Sequence, residues 1–180
     1  MTCSLLHLSP NLCLISLPAV DSFYRFDTHH ETWMSIPHQD ETPIARMYGG
    51  LVSADGRLFL FGGEDERAAL TQDMIVFDAL DKKWTLLHDG ALQDQAPSPT
   101  PRFCHGFASA AGRLYVYGGQ NYRTILGDMW EFSPITLQWT ELNTENFPGI
   151  VASLPPARES HGFTECAGRL YLYGGKTNSI

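Results

Sequence analysis

The sequence predicts an all-β fold assembled from a four-stranded unit used more than once. Three observations carry the prediction. Blocks starting at Arg46 (RMYGGLVSADGRLFLFGG), Arg102 (RFCHGFASAAGRLYVYGG) and Arg158 (RESHGFTECAGRLYLYGG) align without gaps at a spacing of 56 residues. A second motif recurs between them, as DMIVFDALDKKW from Asp73 and DMWEFSPITLQW from Asp128, with an earlier copy, DSFYRFDTHHETW, from Asp21. The runs LFLF, YVY and YLY are aromatic or β-prone and are bounded by glycine, as short strands are.

Each element of the unit follows from its residues. Asp55-Gly56 is a strong two-residue hairpin signal, and Ala111-Gly112 and Ala167-Gly168 occupy the same place, keeping glycine where positive φ is needed. Strands are expected near 47–53, 57–61, 74–77 and 84–87, and again near 104–110, 113–117, 129–132 and 139–142. The double glycines 62–63, 118–119 and 174–175 end the second strand, where backbone passes so close to backbone that a Cβ would clash. Phe26, Phe77 and Phe132 each lie seven residues before a tryptophan. Trp84 and Trp139 are large enough to fill the wedge between successive units. Four short antiparallel strands per repeat of about 50 residues make a propeller blade.

Composition narrows the function. The chain of 180 residues carries a net charge of −8, with 14 acids against 6 Lys/Arg before residue 101 and 6 against 6 after it. No basic stripe exists to neutralise phosphates, which argues against nucleic acid and anionic membranes as partners. No run of about 20 apolar residues suggests a transmembrane helix. Residues 1–20 are apolar, but they lack a basic start, are broken at Pro10 and Asn11, and offer a poor cleavage site at Leu17–Ala19. They stay an unassigned N-terminal segment. Cys3, Cys13, Cys104 and Cys166 form no CxxC pair and read as buried or free thiols of a cytoplasmic protein.

With Arg-x-x-His at 102/105 and 158/161, Gly-Gly after an aromatic strand, Asp before an aromatic strand and a spaced tryptophan, residues 21–175 resemble kelch repeats. The fold implied is a partial kelch-type β-propeller: a half-blade at 21–37, blades at 46–90 and 102–143, and a half-blade at 158–175. Gly49 stands where the later copies have histidine. The resemblance implies a protein-interaction scaffold, such as a ubiquitin-ligase substrate receptor or a cytoskeletal or trafficking adaptor, with no enzymatic activity and no cofactor. The alternative is a remnant of a kelch-fold metalloenzyme of oxidase or specifier type, its catalytic residues outside this chain. The Glu-xxx-Asp-xxx-His iron pattern of nitrile-specifier proteins is absent, as are HxH, HExxH and GxSxG. Asp27, His29, His30 and Glu31 read as a solvent-facing turn, not a metal cluster.

Recognition belongs to loops that differ between repeats. By the resemblance, the loops after strands two and four (64–72, 120–127, 88–101 and 143–157) share one face. Tyr122 and Arg123, with Arg67 and Lys176, are the ligand-contact candidates, joined by the repeat arginines Arg46, Arg102 and Arg158. They would form a patchy cationic pocket for an acidic or carboxylate-ended peptide. The fixed positions of the repeat arginines, and of His105 and His161, favour a second role, satisfying backbone carbonyls between neighbouring strands. Read as blades, the chain holds about three blades' worth, whereas closed propellers take about four to eight. A piece of a longer propeller is expected, one that alone would associate through its open edges. Two copies could join into a six-bladed ring.

Overall fold

The computed structural model describes residues 20–37, 43–90, 97–143 and 155–178. Residues 1–19, with Cys3 and Cys13, lie outside these, as do parts of the long connections 88–101 and 143–157. Every regular element among the described residues is a strand. β1 (Phe23–Asp27) and β2 (Thr32–Ile36) form an antiparallel half-blade. Blade 1 is the sheet β4 (Gly50–Ala54), β5 (Arg57–Phe61), β7 (Met74–Asp78) and β8 (Lys83–His88). Blade 2 is β9 (Gly106–Ala110), β10 (Arg113–Tyr117), β11 (Met129–Ser133) and β12 (Gln138–Glu141). A second half-blade, β13 (Gly162–Cys166) with β14 (Arg169–Tyr173), follows. The short strands β3 (Arg46–Met47) and β6 (Glu64–Asp65) pair beside blade 1. First strands of successive units pack on one another, β4 on β9 and β9 on β13, and the propeller is open.

The hairpins form where glycine makes them possible, and their first residue is left-handed as well: φ is 48° and 73° at Asp55-Gly56, and 49° and 72° at Ala111-Gly112. Both central residues at positive φ match the right-handed twist of the flanking strands. The double glycines have the expected close approach. A Cβ on Gly63 would stand 2.7 Å from the Met47 carbonyl oxygen, and one on Gly119 2.7 Å from that of Phe103.

One expectation needs correction. The first strand of blade 1 does not run unbroken over 47–53, and that of blade 2 does not start at residue 104. Tyr48 and Cys104 have φ of 58° and 53°, as has Ser160 at 55°. A left-handed residue leaves the pleat and turns its peptide toward the neighbouring unit. The Cys104 N–H donates to the Tyr48 carbonyl at 3.1 Å, and the Ser160 N–H to that of Cys104 at 2.8 Å. Three equivalent residues thus form a backbone column running from unit to unit.

The core lies between units. The run Met74-Ile75-Val76-Phe77 is apolar throughout because β7 is covered on both faces. Met74 and Val76 join Phe61, Phe107, Phe132 and Trp139 between the two blades. Ile75 and Phe77 join Trp84, Phe23 and Ile36 toward the first half-blade. Trp139 reaches across to Phe61 with ring centroids 5.0 Å apart, and Trp84 reaches Phe23 at 5.3 Å, filling the wedges between units. Full burial of one such side chain contributes about 1.5–3 kcal/mol.

Candidate interaction face

The repeat arginines organise the scaffold beneath the loops. The Arg102 guanidinium is completely buried; Nη1 and Nη2 each lie 2.7 Å from an oxygen of Asp128, and Nη1 also donates to the Gly118 carbonyl at 3.1 Å. Arg46 repeats the pattern with Asp73 at 2.7 and 2.9 Å and the Gly62 carbonyl at 3.2 Å. Burial raises the Asp128 carboxyl, but hydrogen bonds from Arg102 and Trp130 and the guanidinium charge outweigh it, holding the group below the ordinary Asp value. The Arg102 carbonyl accepts the Gly63 N–H at 2.9 Å, so the same residue bolts its blade to the one before. A buried fork paired this way has no face left for a ligand. Arg46 and Arg102 thus satisfy the Gly62 and Gly118 carbonyls, the second role that their fixed places in the repeat favour. Arg158 donates to the carbonyls of Gly174, at 2.9 Å, and Pro156, at 3.1 Å.

The histidines are wedges. His105 stands edge-on to Phe61 at 5.3 Å, and His161 to Tyr117 at 5.6 Å, each reaching into the preceding blade. A Cβ on Gly50 would come within 2.8 Å of His105 Nε2, so glycine recurs there to admit the ring. The ring nitrogens of both histidines are buried without a hydrogen-bond partner. Burial, aided by Arg102 and His161, pushes the His105 imidazole down to about 3; burial and Arg158 push His161 to about 4. Both rings are neutral at pH 7.

Above this frame the loops after β5 and β10 each carry an acceptor side chain at the same repeat position. Asp65 Oδ1 accepts the N–H groups of Arg67 and Ala69 at 2.9 and 2.8 Å. Asn121 Oδ1, at the equivalent place, accepts those of Arg123 and Thr124 at 3.2 and 3.1 Å. These side-chain turns place Arg67 and Arg123 at matching, exposed positions. The loops touch, the Tyr122 hydroxyl donating to the Ala68 carbonyl at 3.3 Å. Tyr122 packs on Phe103 at 5.2 Å and Phe103 on Tyr48 at 5.9 Å, an aromatic ridge whose two tyrosines are exposed. Burial, and then the Glu64 carboxylate, raises the Tyr122 hydroxyl, which stays protonated.

Of the seven sequence candidates, then, Tyr122, Arg123 and Arg67 come together on one surface. Lys176 Nζ lies 3.6 Å from the buried Glu159, which also accepts a hydrogen bond from Gln120. Sequence reasoning missed Asp73 and Asp128 as the arginines' partners, although their recurrence 27 and 26 residues after the arginines was the signal. It missed Tyr48 and Phe103 too, which nothing local marks as loop-facing. Asp27 is a turn cap, accepting the N–H groups of His29 and His30 at 2.9 and 3.0 Å. Among the described residues, no three His, Cys, Asp or Glu side chains are grouped to hold a metal, and no helix is long and apolar enough to cross a membrane.

Comparison with known proteins agrees with this architecture. The KLHDC2/KLHL20/DRC7 Kelch-repeats domain matches residues 16–180. Acyl-CoA-binding domain-containing protein 4 of Arabidopsis thaliana is 25% identical over 154 residues, covering 85% of this chain and 21% of that protein. Kelch-like protein 35 of Mus musculus is 25% identical over 155 residues, covering 86% and 23%. An N-(sulfonatooxy)prop-2-enimidothioate sulfolyase of Thlaspi arvense is 27% identical over 150 residues, covering 79% and 39%. The chain spans about a fifth of the length of the first two.

Proposed function

This chain belongs to the kelch-repeat family, whose domains generally mediate protein–protein contacts, and from that premise we propose that it is an adaptor whose loop face binds a peptide carrying carboxylates. One observation carries the reading: Arg67 and Arg123 stand at equivalent, exposed positions on touching loops, with the Tyr122 ring beside them, while Arg46 and Arg102 are committed to Asp73 and Asp128. A guanidinium held on a turn offers a planar fork to a carboxylate, and two forks on adjacent loops favour a ligand with two acidic groups, or an acidic residue near a free C-terminus. Glu64 and Glu66 beside them screen the patch against ligands with a single charge. A substrate-receptor, cytoskeletal or trafficking role would use such a face equally well. A cytoplasmic setting goes with this proposal.

Display selection against the protein tests this. Peptides rich in Asp, Glu or C-terminal carboxylate should emerge, bind less tightly as salt rises, and lose at least tenfold in affinity to the Arg67→Ala/Arg123→Ala variant with an unchanged melting curve. Selected peptides of no acidic character, or indifferent to both substitutions, would remove the reading.

A further inference from the structure

The approach to each repeat arginine is built alike in all three copies. Proline stands three residues before it, at Pro43, Pro99 and Pro155. The residue two before it gives its carbonyl to the arginine Nε: Ile44 at 3.2 Å, Thr100 at 3.0 Å and Pro156 at 3.1 Å. Between proline and arginine the first copy has Ile-Ala and the third Pro-Ala, but the second has Thr100-Pro101. The second copy alone of the three puts a hydroxyl at this spot and follows it with proline. Thr100 is exposed, and its Oγ1 accepts from Arg102 Nη2 at 3.4 Å. The same nitrogen donates to Asp128 Oδ2 at 2.7 Å. A solvent-facing hydroxyl is therefore bonded directly to the buried guanidinium at the joint between blades 1 and 2.

We propose that Thr100 is a phosphorylation site for a proline-directed serine/threonine kinase, and that the phosphate loosens the joint between blades 1 and 2. Such a kinase takes proline after the acceptor because proline brings no N–H that would need a partner. The segment suits it, since prolines at 97, 99 and 101 hold Ser98 and Thr100 extended. Two acceptors precede proline, and the fold separates them. Pro99, after Ser98, is less than 2% exposed and cannot enter a kinase pocket. Pro101, after Thr100, lines a surface pocket with Asp73 and Asp89. In the transfer, the γ-phosphorus of ATP bonds to Oγ1 as its bond to the bridging oxygen breaks; ADP leaves, and the hydroxyl proton passes to the kinase's base. The charges already present set the direction of the effect. Arg46 is matched by Asp73 and Arg102 by Asp128, and Asp89 adds a further carboxylate. Phosphothreonine brings about −1.5 to −2 more charge. Its oxygens compete with Asp128 for Nη2 and repel the carboxylates around it. Arg102 also donates its N–H to the Thr71 carbonyl and accepts the Gly63 N–H, so displacing it slackens the main-chain bonds to blade 1. The inference does not depend on what the loop face binds.

Folded residues 1–180, treated with ATP and a mitogen-activated protein kinase and then mapped by peptide mass spectrometry, test it. Phosphate is expected on Thr100 in preference to Ser98. Pro101→Ala, which takes the residue of the other two copies, keeps the hydroxyl and should lower labelling of Thr100 roughly tenfold. Phosphorylated protein should melt about 2–4 °C below untreated protein, and a phosphatase should restore the midpoint. Thr100→Ile, the residue of the first copy, should keep its midpoint through the same treatment. Thr100 left unmodified, or phosphate confined to Ser98, would overturn the site. Equal labelling of Pro101→Ala would overturn the proline-directed reading, and phosphorylated protein melting with untreated protein would overturn the effect on the joint. Should either variant not fold, the mapped position and the midpoint shift of the wild-type protein still decide.

Discussion

At the joint between blades 1 and 2 the Arg102 guanidinium and the Trp139 indole lie under cover; at the ends of the arc their repeat equivalents, Arg158 and Trp33, are more open to water. Arg102 and Arg158 share one sequence position, as do Trp139 and Trp33. The first of each pair is buried, while Arg158 donates to exposed carbonyls and Trp33 is exposed. Residue identity therefore sets what a side chain can do, and the neighbouring unit decides what it contributes. The contrast can be broken or sharpened by substitution.

The largest effect is expected from Arg102→Ala. It strands Asp128, itself largely covered, and should cost about 3–5 kcal/mol, as losing one partner of a buried ion pair does. Arg158→Ala should stay within about 0.5 kcal/mol, the usual range for a surface change. Urea midpoints measure both, and equal losses would erase the distinction. Trp139→Ala comes next, at roughly 3–5 kcal/mol for a deleted core aromatic, against less than about 1 kcal/mol for Trp33→Ala. A Trp139→Ala variant melting with its parent would contradict the wedge.

Acid should separate the two histidine joints. Folded His105 and His161 have pKa values below that of a free imidazole, so the unfolded chain takes up protons first. Their contribution is whole above about pH 6.5, falls as pH drops, and is fully lost near pH 3 for His105 and near pH 4 for His161. Each unit of that window costs up to about 1.4 kcal/mol for a fully buried ring. His105→Leu should flatten the profile of stability against pH down to about pH 3, and His161→Leu only down to about pH 4; the same lower limit for both would mean that His105 is not the more deeply covered ring. The smallest effect is at the hairpin of blade 2. Ala111 sits at φ 49° where blade 1 has Asp55. Ala111→Asn suits that conformation and should add about 0.5–1 kcal/mol, read as a higher midpoint.

The strands were legible because their causes are local. Asp55-Gly56, the aromatic runs and the double glycines announce hairpins and strand ends within a few residues of where they act, and every blade strand but β4 lies within one or two residues of expectation. What escaped is what a neighbouring unit imposes. Tyr48, Cys104 and Ser160 carry no residue-type signal for left-handed backbone, which the peptide bonds passed between units impose on them. Arg46 and Arg102 could be seen to recur, but whether a recurring cation faces a ligand or an aspartate depends on a strand 26 or 27 residues away. Arg67 and Arg123 were visible singly; their equivalence emerged only when Asp65 and Asn121 proved to accept their N–H groups at the same repeat position.

The column through Tyr48, Cys104 and Ser160 bears on how such a chain can change over generations. Its bonds join only main-chain atoms, and the accompanying contact, a Gly-Gly amide on the next arginine's carbonyl, is main-chain as well. Neither depends on which side chains the adjoining unit bears. A duplicated or deleted segment of one repeat length would meet the same main-chain socket on either side. Such a joint makes unit number a variable that copying errors can alter in whole steps, while the loops above remain free to diverge one residue at a time.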